Sequence, residues 1–171
     1  MERIIPDTSA VIIGAISEIM EKEELDFPEI IVPEAVVCEL EHQANANRSE
    51  GHRGLSELQK LQKLQDEGKL AVSFKGKRPT NYDIRYAKSG EIDSIIRDLA
   101  RSEMGILVTN DKVQAEVAKS IIQDAGLGVS PIVKNIGGSY TLQVGVYSTH
   151  ERAQQEVNSL LKSNFPARIS E

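Results

Sequence analysis

Cysteine is nearly absent: Cys38 stands alone, which excludes an internal disulfide framework and fits a reducing compartment. Aromatic residues are sparse, at 4% of the chain. No excess of positive charge exists either. Twenty Lys and Arg face 26 Asp and Glu, a net charge of −6, which speaks against a purely electrostatic nucleic-acid binder. The acid excess is compatible with a cation site, because bound metal would cancel part of it. No apolar run is long enough to span a membrane, and Met1-Glu2-Arg3-Ile4-Ile5-Pro6-Asp7 lacks the apolar core of a signal peptide. A cytoplasmic location is therefore expected.

What is present is a chain of 171 residues with 40% hydrophobic content, enough for one good core or one domain plus a small appendage. Its organising stretch is Arg3-Ile4-Ile5-Pro6-Asp7-Thr8-Ser9. A short apolar run ends in an acid and two hydroxyl residues. This pattern reads as a buried strand whose C-terminal tip presents a carboxylate, the edge at which open α/β sheets bind ligands. The competing reading makes Asp7 only a helix cap.

Strands and helices then alternate. Val11 to Lys22 is expected as one helix, Ile30-Ile31-Val32 as a buried strand, and Pro33 as the first position of a helix running to about Ala46. Within that helix, Val36, Val37 and Leu40 form an apolar stripe, and Glu39 points near the same face. Residues 45–54 read as a polar, glycine-containing loop. Leu55, Leu58, Leu61 and Leu64 repeat at helical spacing up to Gly68. Leu70 to Phe74 reads as a strand and Lys75 to Asn81 as a basic loop. Ser89-Gly90-Glu91-Ile92-Asp93 opens a helix ending near Glu103. Ile106-Leu107-Val108 is a strand tipped by Thr109-Asn110-Asp111, and a helix follows from Lys112 to about Ala125. Alternation of this kind marks a parallel sheet with helices on both faces.

Asp7, Glu39, Asp93 and Asp111 thus stand at or beside strand tips. Carboxylates brought together repel unless cations neutralise them. Oxygen-rich clusters suit Mg²⁺ or Mn²⁺, and two such ions can support phosphodiester hydrolysis.

Four motifs, Ile4-Ile5-Pro6-Asp7-Thr8-Ser9, Val32-Pro33-Glu34-Ala35-Val36-Val37-Cys38-Glu39-Leu40, Gly90-Glu91-Ile92-Asp93 and Leu107-Val108-Thr109-Asn110-Asp111, make the chain resemble PIN domains, a metal-dependent ribonuclease fold. The resemblance covers residues 1–131 and implies a three-layer α/β/α PIN-like fold with a central parallel sheet. It implies an acidic quartet of Asp7, Glu39, Asp93 and Asp111, both catalytic and metal-binding, with Asp7 and Asp111 as direct ligands. It also implies Mg²⁺ or Mn²⁺ as cofactor and single-stranded RNA as substrate. Thr8, Ser9 and Thr109 would orient the acids. Glu91 is either a further acid of the site or an N-terminal helix acid favoured by the dipole. Residues 39–45 and the Gly51 to Gly54 stretch look most like the PIN domains at the front of archaeal-type PIN-ATPases. No Gly-x-x-x-x-Gly-Lys-Ser/Thr phosphate loop occurs. Either the ATPase lies outside this chain or the chain is a stand-alone relative.

Weaker signals remain. The loop histidines His42 and His52 could touch RNA or simply be solvated. Arg48, Arg53, Lys75, Lys77 and Arg78 could contact phosphates or serve as solubility charge. Cys38 reads as core. Residues 137–171 read as a β-α-β appendage behind an Asn135-Ile136-Gly137-Gly138-Ser139 hinge. It has a strand from Tyr140 to Tyr147, a helix from His150 to Ser163 and a closing strand from Phe165 to Ile169. It resembles half of a SPOR domain, a peptidoglycan-binding module. The apolar face of its helix has no partner within so short a unit, so a homodimerisation element is expected rather than glycan binding. Two functions compete with the nuclease: a non-catalytic PIN scaffold assembling with a partner, and a glycan-binding module.

Overall fold

The computed structural model describes residues 3–22, 27–88, 90–129, 131–136 and 139–169. Four strands, β1 (Arg3–Pro6), β2 (Glu29–Pro33), β3 (Ala71–Lys75) and β4 (Ile106–Val108), form one sheet in the order β3-β2-β1-β4. All neighbours are parallel, with Ile4 opposite both Ile30 and Ile106 and Pro6 opposite Val108. Their C-terminal ends therefore share one edge. Helices flank the sheet as α1 (Thr8–Ile12), α2 (Ala15–Lys22), α3 (Glu34–Asn45), α4 (Ser49–Asp66), α5 (Asn81–Tyr86), α6 (Glu91–Ser102) and α7 (Lys112–Asp124). This is the expected three-layer α/β/α arrangement. Ile5, Ile30, Ile31 and Val32 are fully buried against Val11, Ile16, Leu40, Leu61 and Ile96 from the helices. Burial on both faces explains why the strands read as unbroken apolar runs.

Three expectations need correction. The first helix is two, because Gly14 adopts φ +74, a left-handed conformation that ends α1 and lets α2 start in a new direction. Buried Glu57 of α4 stabilises that start by accepting from the Ser17 N–H at 2.8 Å and the Ser17 hydroxyl at 2.7 Å. Residues 45–54 are not a loop: only a tight turn separates α3 from α4, which begins at Ser49. A Cβ on Gly51 would lie 2.3 Å from the Ala44 backbone nitrogen, and one on Gly54 2.2 Å from Leu40 Cδ2. These glycines let two helices pack closely. The basic loop after β3 contains α5, fixed by a capping box in which Thr80 and Asp83 satisfy each other's backbone N–H.

The C-terminal part also differs in detail. β5 (Ile132–Ile136) and β6 (Ser139–Gln143) form an antiparallel hairpin, so Asn135, Ile136 and Ser139 are strand ends. Gly137 and Gly138 of the expected hinge lie outside the described residues. The hairpin joins the main sheet through one bridge, the Tyr140 N–H donating to the Thr109 carbonyl at 2.9 Å. β6 stops at Gln143, four residues short of the expected Tyr147. α8 (His150–Lys162) follows, capped by Thr149. Residues 165–169 form no strand, since β5 already occupies the edge of β6 and Pro166 cannot donate to a ladder. Leu160 is 1% exposed within the single chain, and Arg101 of α6 lies over the Phe165 ring, 5.1 Å from its centroid. Part of the apolar face of α8 thus finds cover on its own chain, at Leu160, while Leu161 is 37% exposed.

Candidate metal centre

Asp7 follows β1 directly and is 2% exposed. Its N–H donates to the Val108 carbonyl at 2.9 Å, which locks it to the tip of β4. Its Oδ1 accepts from the Ala10 N–H at 2.7 Å, the cap of α1, and from the Ser9 hydroxyl at 2.7 Å. Its Oδ2 accepts from the Thr109 hydroxyl and from Gln114 Nε2 at 2.5 Å. Asp7 is thus a helix cap, but donors also reach it from β4 and α7. Ser9 Oγ also accepts the Asn110 N–H at 2.9 Å, and Thr109 Oγ1 accepts the Asp111 N–H at 2.9 Å. Two hydroxyls therefore tie the tips of β1 and β4 into one unit.

The other acids surround this unit. Glu39 of α3 is half-buried and accepts from the Thr8 hydroxyl. Asp93 is half-buried in the first turn of α6 and accepts no hydrogen bond among the described residues. Asp111 caps α7 by accepting from the Val113 N–H at 2.8 Å. The four charges feel one another. Burial pushes the Asp7 carboxyl above its ordinary range and the Asp93 charge adds to this, while hydrogen bonds from Thr109, Ala10 and Ser9 oppose it. Burial likewise raises Glu39, with Asp93 and Asp7 adding and Thr8 and His42 opposing. Burial raises Asp93, with Asp111 adding and Arg97 opposing.

This donor set is all oxygen and mutually repulsive, the chemistry that suits Mg²⁺ or Mn²⁺. Asp93, and one oxygen each of Glu39 and Asp111, have no hydrogen-bond partner among the described residues. Among those residues, however, no three His, Cys, Asp or Glu side chains stand close enough to hold one ion as they are. The residues fit a cation in chemistry, and side-chain movement would have to close the distance.

The remaining expected residues divide. His42 lies in α3 and His52 in α4, so neither is a loop residue, and His42 sits near enough to Glu39 to favour its charged form. Glu91 is exposed and accepts from the Lys88 N–H at 2.8 Å, which is the behaviour of a helix-start acid. Lys75 is held by Glu103 at 2.8 Å and Glu29 at 3.7 Å, and Arg78 by Glu34 at 2.9 Å and Glu41 at 2.5 Å. Arg48, Arg53 and Lys77 are exposed. Cys38 is buried, its thiol against the Pro79 carbonyl at 3.2 Å, as a core residue. Gln114 went unanticipated: it is 2% exposed, donates to Asp7 and leaves its Oε1 without a partner among the described residues. Its only sequence signal is its position one helical turn after Asp111.

A PIN domain family model matches residues 4–120. The chain belongs to the PIN domain family. Most members of that family are nucleases. This PIN domain is 44% identical over 119 residues to an uncharacterized KH and PIN-domain containing protein of Methanocaldococcus jannaschii, covering 70% of the chain and 18% of the relative. It is 33% identical over 137 residues to an uncharacterized PIN and TRAM-domain containing protein of Bacillus subtilis, covering 74% of the chain and 34% of that protein. The chain thus spans 18% and 34% of the lengths of these two curated relatives. A solved domain of a functionally unknown M. jannaschii protein superposes with a TM-score of 0.67 at 44% identity, covering 71% of this chain and 86% of that one.

Proposed function

We propose that this PIN domain is a divalent-metal-dependent endoribonuclease that cleaves single-stranded RNA, with water as the nucleophile. The observation that carries this reading is electrostatic: the Asp93 charge adds to the raised proton affinity of both Asp7 and Glu39, and the Asp111 charge does the same to Asp93. Asp7, Glu39, Asp93 and Asp111 would hold Mg²⁺ or Mn²⁺. When bound, such ions supply positive charge for the phosphate oxygens and a water of lowered pKa. Thr109, Ser9 and Gln114 hold Asp7 in one orientation, and Thr8 does the same for Glu39. The M. jannaschii relative carries a KH domain by name, and KH modules clamp single-stranded nucleic acid, which supports an RNA substrate.

The test is incubation of the chain with end-labelled single-stranded RNA, with Mn²⁺, with Mg²⁺ and with EDTA. Internal fragments that require metal and vanish in Asp93→Asn and Asp111→Asn support the reading. Metal-independent or variant-independent cleavage overturns it. A second reading is a non-catalytic scaffold, favoured by the four hydrogen bonds that already saturate Asp7. It is the outcome if calorimetry detects no Mn²⁺ binding and the RNA stays intact.

A further inference from the structure

Aromatic residues are few in this chain, yet two of its four tyrosines stand in water on one short helix. Tyr82 is 71% exposed and Tyr86 60% exposed, one turn apart on α5. Their rings touch, with centroids 4.5 Å apart and planes tilted by 40°. The Arg85 guanidinium lies 5.8 Å from the centre of the Tyr86 ring. Exposed apolar rings with a cation beside them are an unusual use of surface unless something stacks on them.

Their location gives them a use. The chain leaves β3 at its C-terminal end, forms α5, and then enters α6, whose first turn carries Asp93. The connection therefore starts at the edge where the parallel strands end and leads to the helix turn that carries Asp93. α5 is anchored beside α3: the Cys38 thiol meets the Pro79 carbonyl just ahead of it, and the charges of both Glu39 and Asp83 reach Cys38. The segment is also locally basic in an acidic protein. Lys77, Arg85 and Lys88 are exposed, and the one acid between them, Asp83, is engaged by the Thr80 N–H and hydroxyl at 2.8 Å each.

We propose that Tyr82, Tyr86 and Arg85 form a stacking platform for the bases of single-stranded nucleic acid, with Lys77 and Lys88 beside it for the phosphates. This rests on the nuclease reading for its ligand and assigns the strand a path from α5 to the acids. Bases stack on aromatic rings irrespective of sequence, and a loss of such stacking weakens binding about 5-fold to 100-fold per base.

The experiment uses the intact chain in EDTA, so that hydrolysis plays no part. Fluorescence anisotropy measures Kd for a labelled uridine oligonucleotide, its deoxy counterpart and an abasic oligonucleotide that keeps the phosphates. Tyr82→Ala with Tyr86→Ala is expected to weaken binding of the base-containing strands about tenfold or more and to leave the abasic strand unchanged. The paired Tyr→Phe variant should bind as the parent does, because it keeps the rings. Circular dichroism checks that both variants fold. Tyrosine is the dominant fluorophore in a chain without tryptophan, so stacking should also quench intrinsic emission, less so in the Phe pair. Equal Kd values for parent and Ala variant, or no base-dependent binding by the parent, overturn the platform. So does a dimer in light scattering that only the Ala variant loses, since a second copy would then be the occupant. Base-dependent binding without metal-dependent cleavage leaves the platform standing and removes the nuclease. Cleavage without tyrosine dependence does the reverse.

Discussion

At the scale of the residue, the decisive side chain is Asp7. Its acceptor sites are filled by donors from its own turn, from Thr109 just past β4 and from α7, so the carboxylate is held in one orientation in a buried place. An apolar run stopping at an acid made Asp7 and Asp111 legible. Gln114 was not legible, because a glutamine inside a helix normally faces water, and only the rotation of α7 turns it under Asp7. Gln114→Ala should cost about 1–3 kcal/mol in urea denaturation, by stripping a donor from a buried carboxylate. Asp7→Asn should cost little in the metal-free chain. The Gln114 amide can flip, offering its unpartnered Oε1 to the new Asn amide. Charge repulsion falls at the same time. The pH dependence has a definite sign. Asp7, Glu39 and Asp93 bind protons more tightly in the folded chain than their ordinary values of 3.8, 4.5 and 3.8 imply. Above those values the folded state holds more protons than the unfolded one, so the acids' contribution is full at low pH and is lost as pH rises through the raised values. Asp93→Asn removes one such group. Its melting temperature in EDTA should therefore gain on the parent as pH goes from about 4 to about 7. A constant difference across that range would contradict the carboxylate cluster.

At the scale of the element, what was legible is what local chemistry alone dictates. The strands at Ile4 to Pro6 and Ile30 to Val32 are buried on both faces, and their continuous apolar character says so; Ile106 to Val108, at the sheet's edge, read the same way and are half-buried. The start of α4 was hidden because glycine normally breaks a helix, costing about 1 kcal/mol against alanine. Gly51 and Gly54 are there for a contact with α3, a tertiary reason that composition does not reveal. α5 was hidden because six residues carry too little periodicity, although the Thr80 and Asp83 capping pair was in view. The two glycines make a graded prediction. A methyl at Gly54 meets the Leu40 side chain, which can rotate, whereas one at Gly51 meets the Ala44 backbone, which cannot. Despite the better helix propensity of alanine, Gly51→Ala should destabilise by roughly 1–3 kcal/mol, and Gly54→Ala by less. Because α3 carries Glu39, Gly51→Ala should also weaken Mn²⁺ binding in calorimetry. Equal unfolding midpoints for the parent and Gly51→Ala would mean the helices can separate freely.

At the scale of the whole molecule, the question is what residues 137–171 do for residues 1–136. Two covers for the apolar face of α8 can be weighed: a second copy, as the sequence led us to expect, or the same chain. Leu160 favours the second: it is buried, and Phe165 lies under Arg101, while the more exposed Leu161 lines a cleft with Pro166, Ala167, Arg3, Glu29, Met104 and Ile106 at the start of the sheet. That cleft is at the strand beginnings or beside them, whereas the acids are at the strand ends. The tail should therefore support the core without entering the site. Leu160→Ala should cost about 2–5 kcal/mol, the usual loss for a large aliphatic side chain removed from a packed position. Truncation after Ile136 should lower the melting temperature and leave the oligomeric state in light scattering as it was. It should also leave Mn²⁺ affinity near that of the full chain below the melting transition, because every proposed ligand precedes the cut. One link could upset this: the Tyr140 N–H bonded to the Thr109 carbonyl, next to the hydroxyl that holds Asp7. If the truncated chain stays folded and yet loses Mn²⁺ binding, the hairpin sets the position of Thr109 and the tail belongs to the site. If it changes from dimer to monomer with no loss of stability, the α8 face was an interface after all.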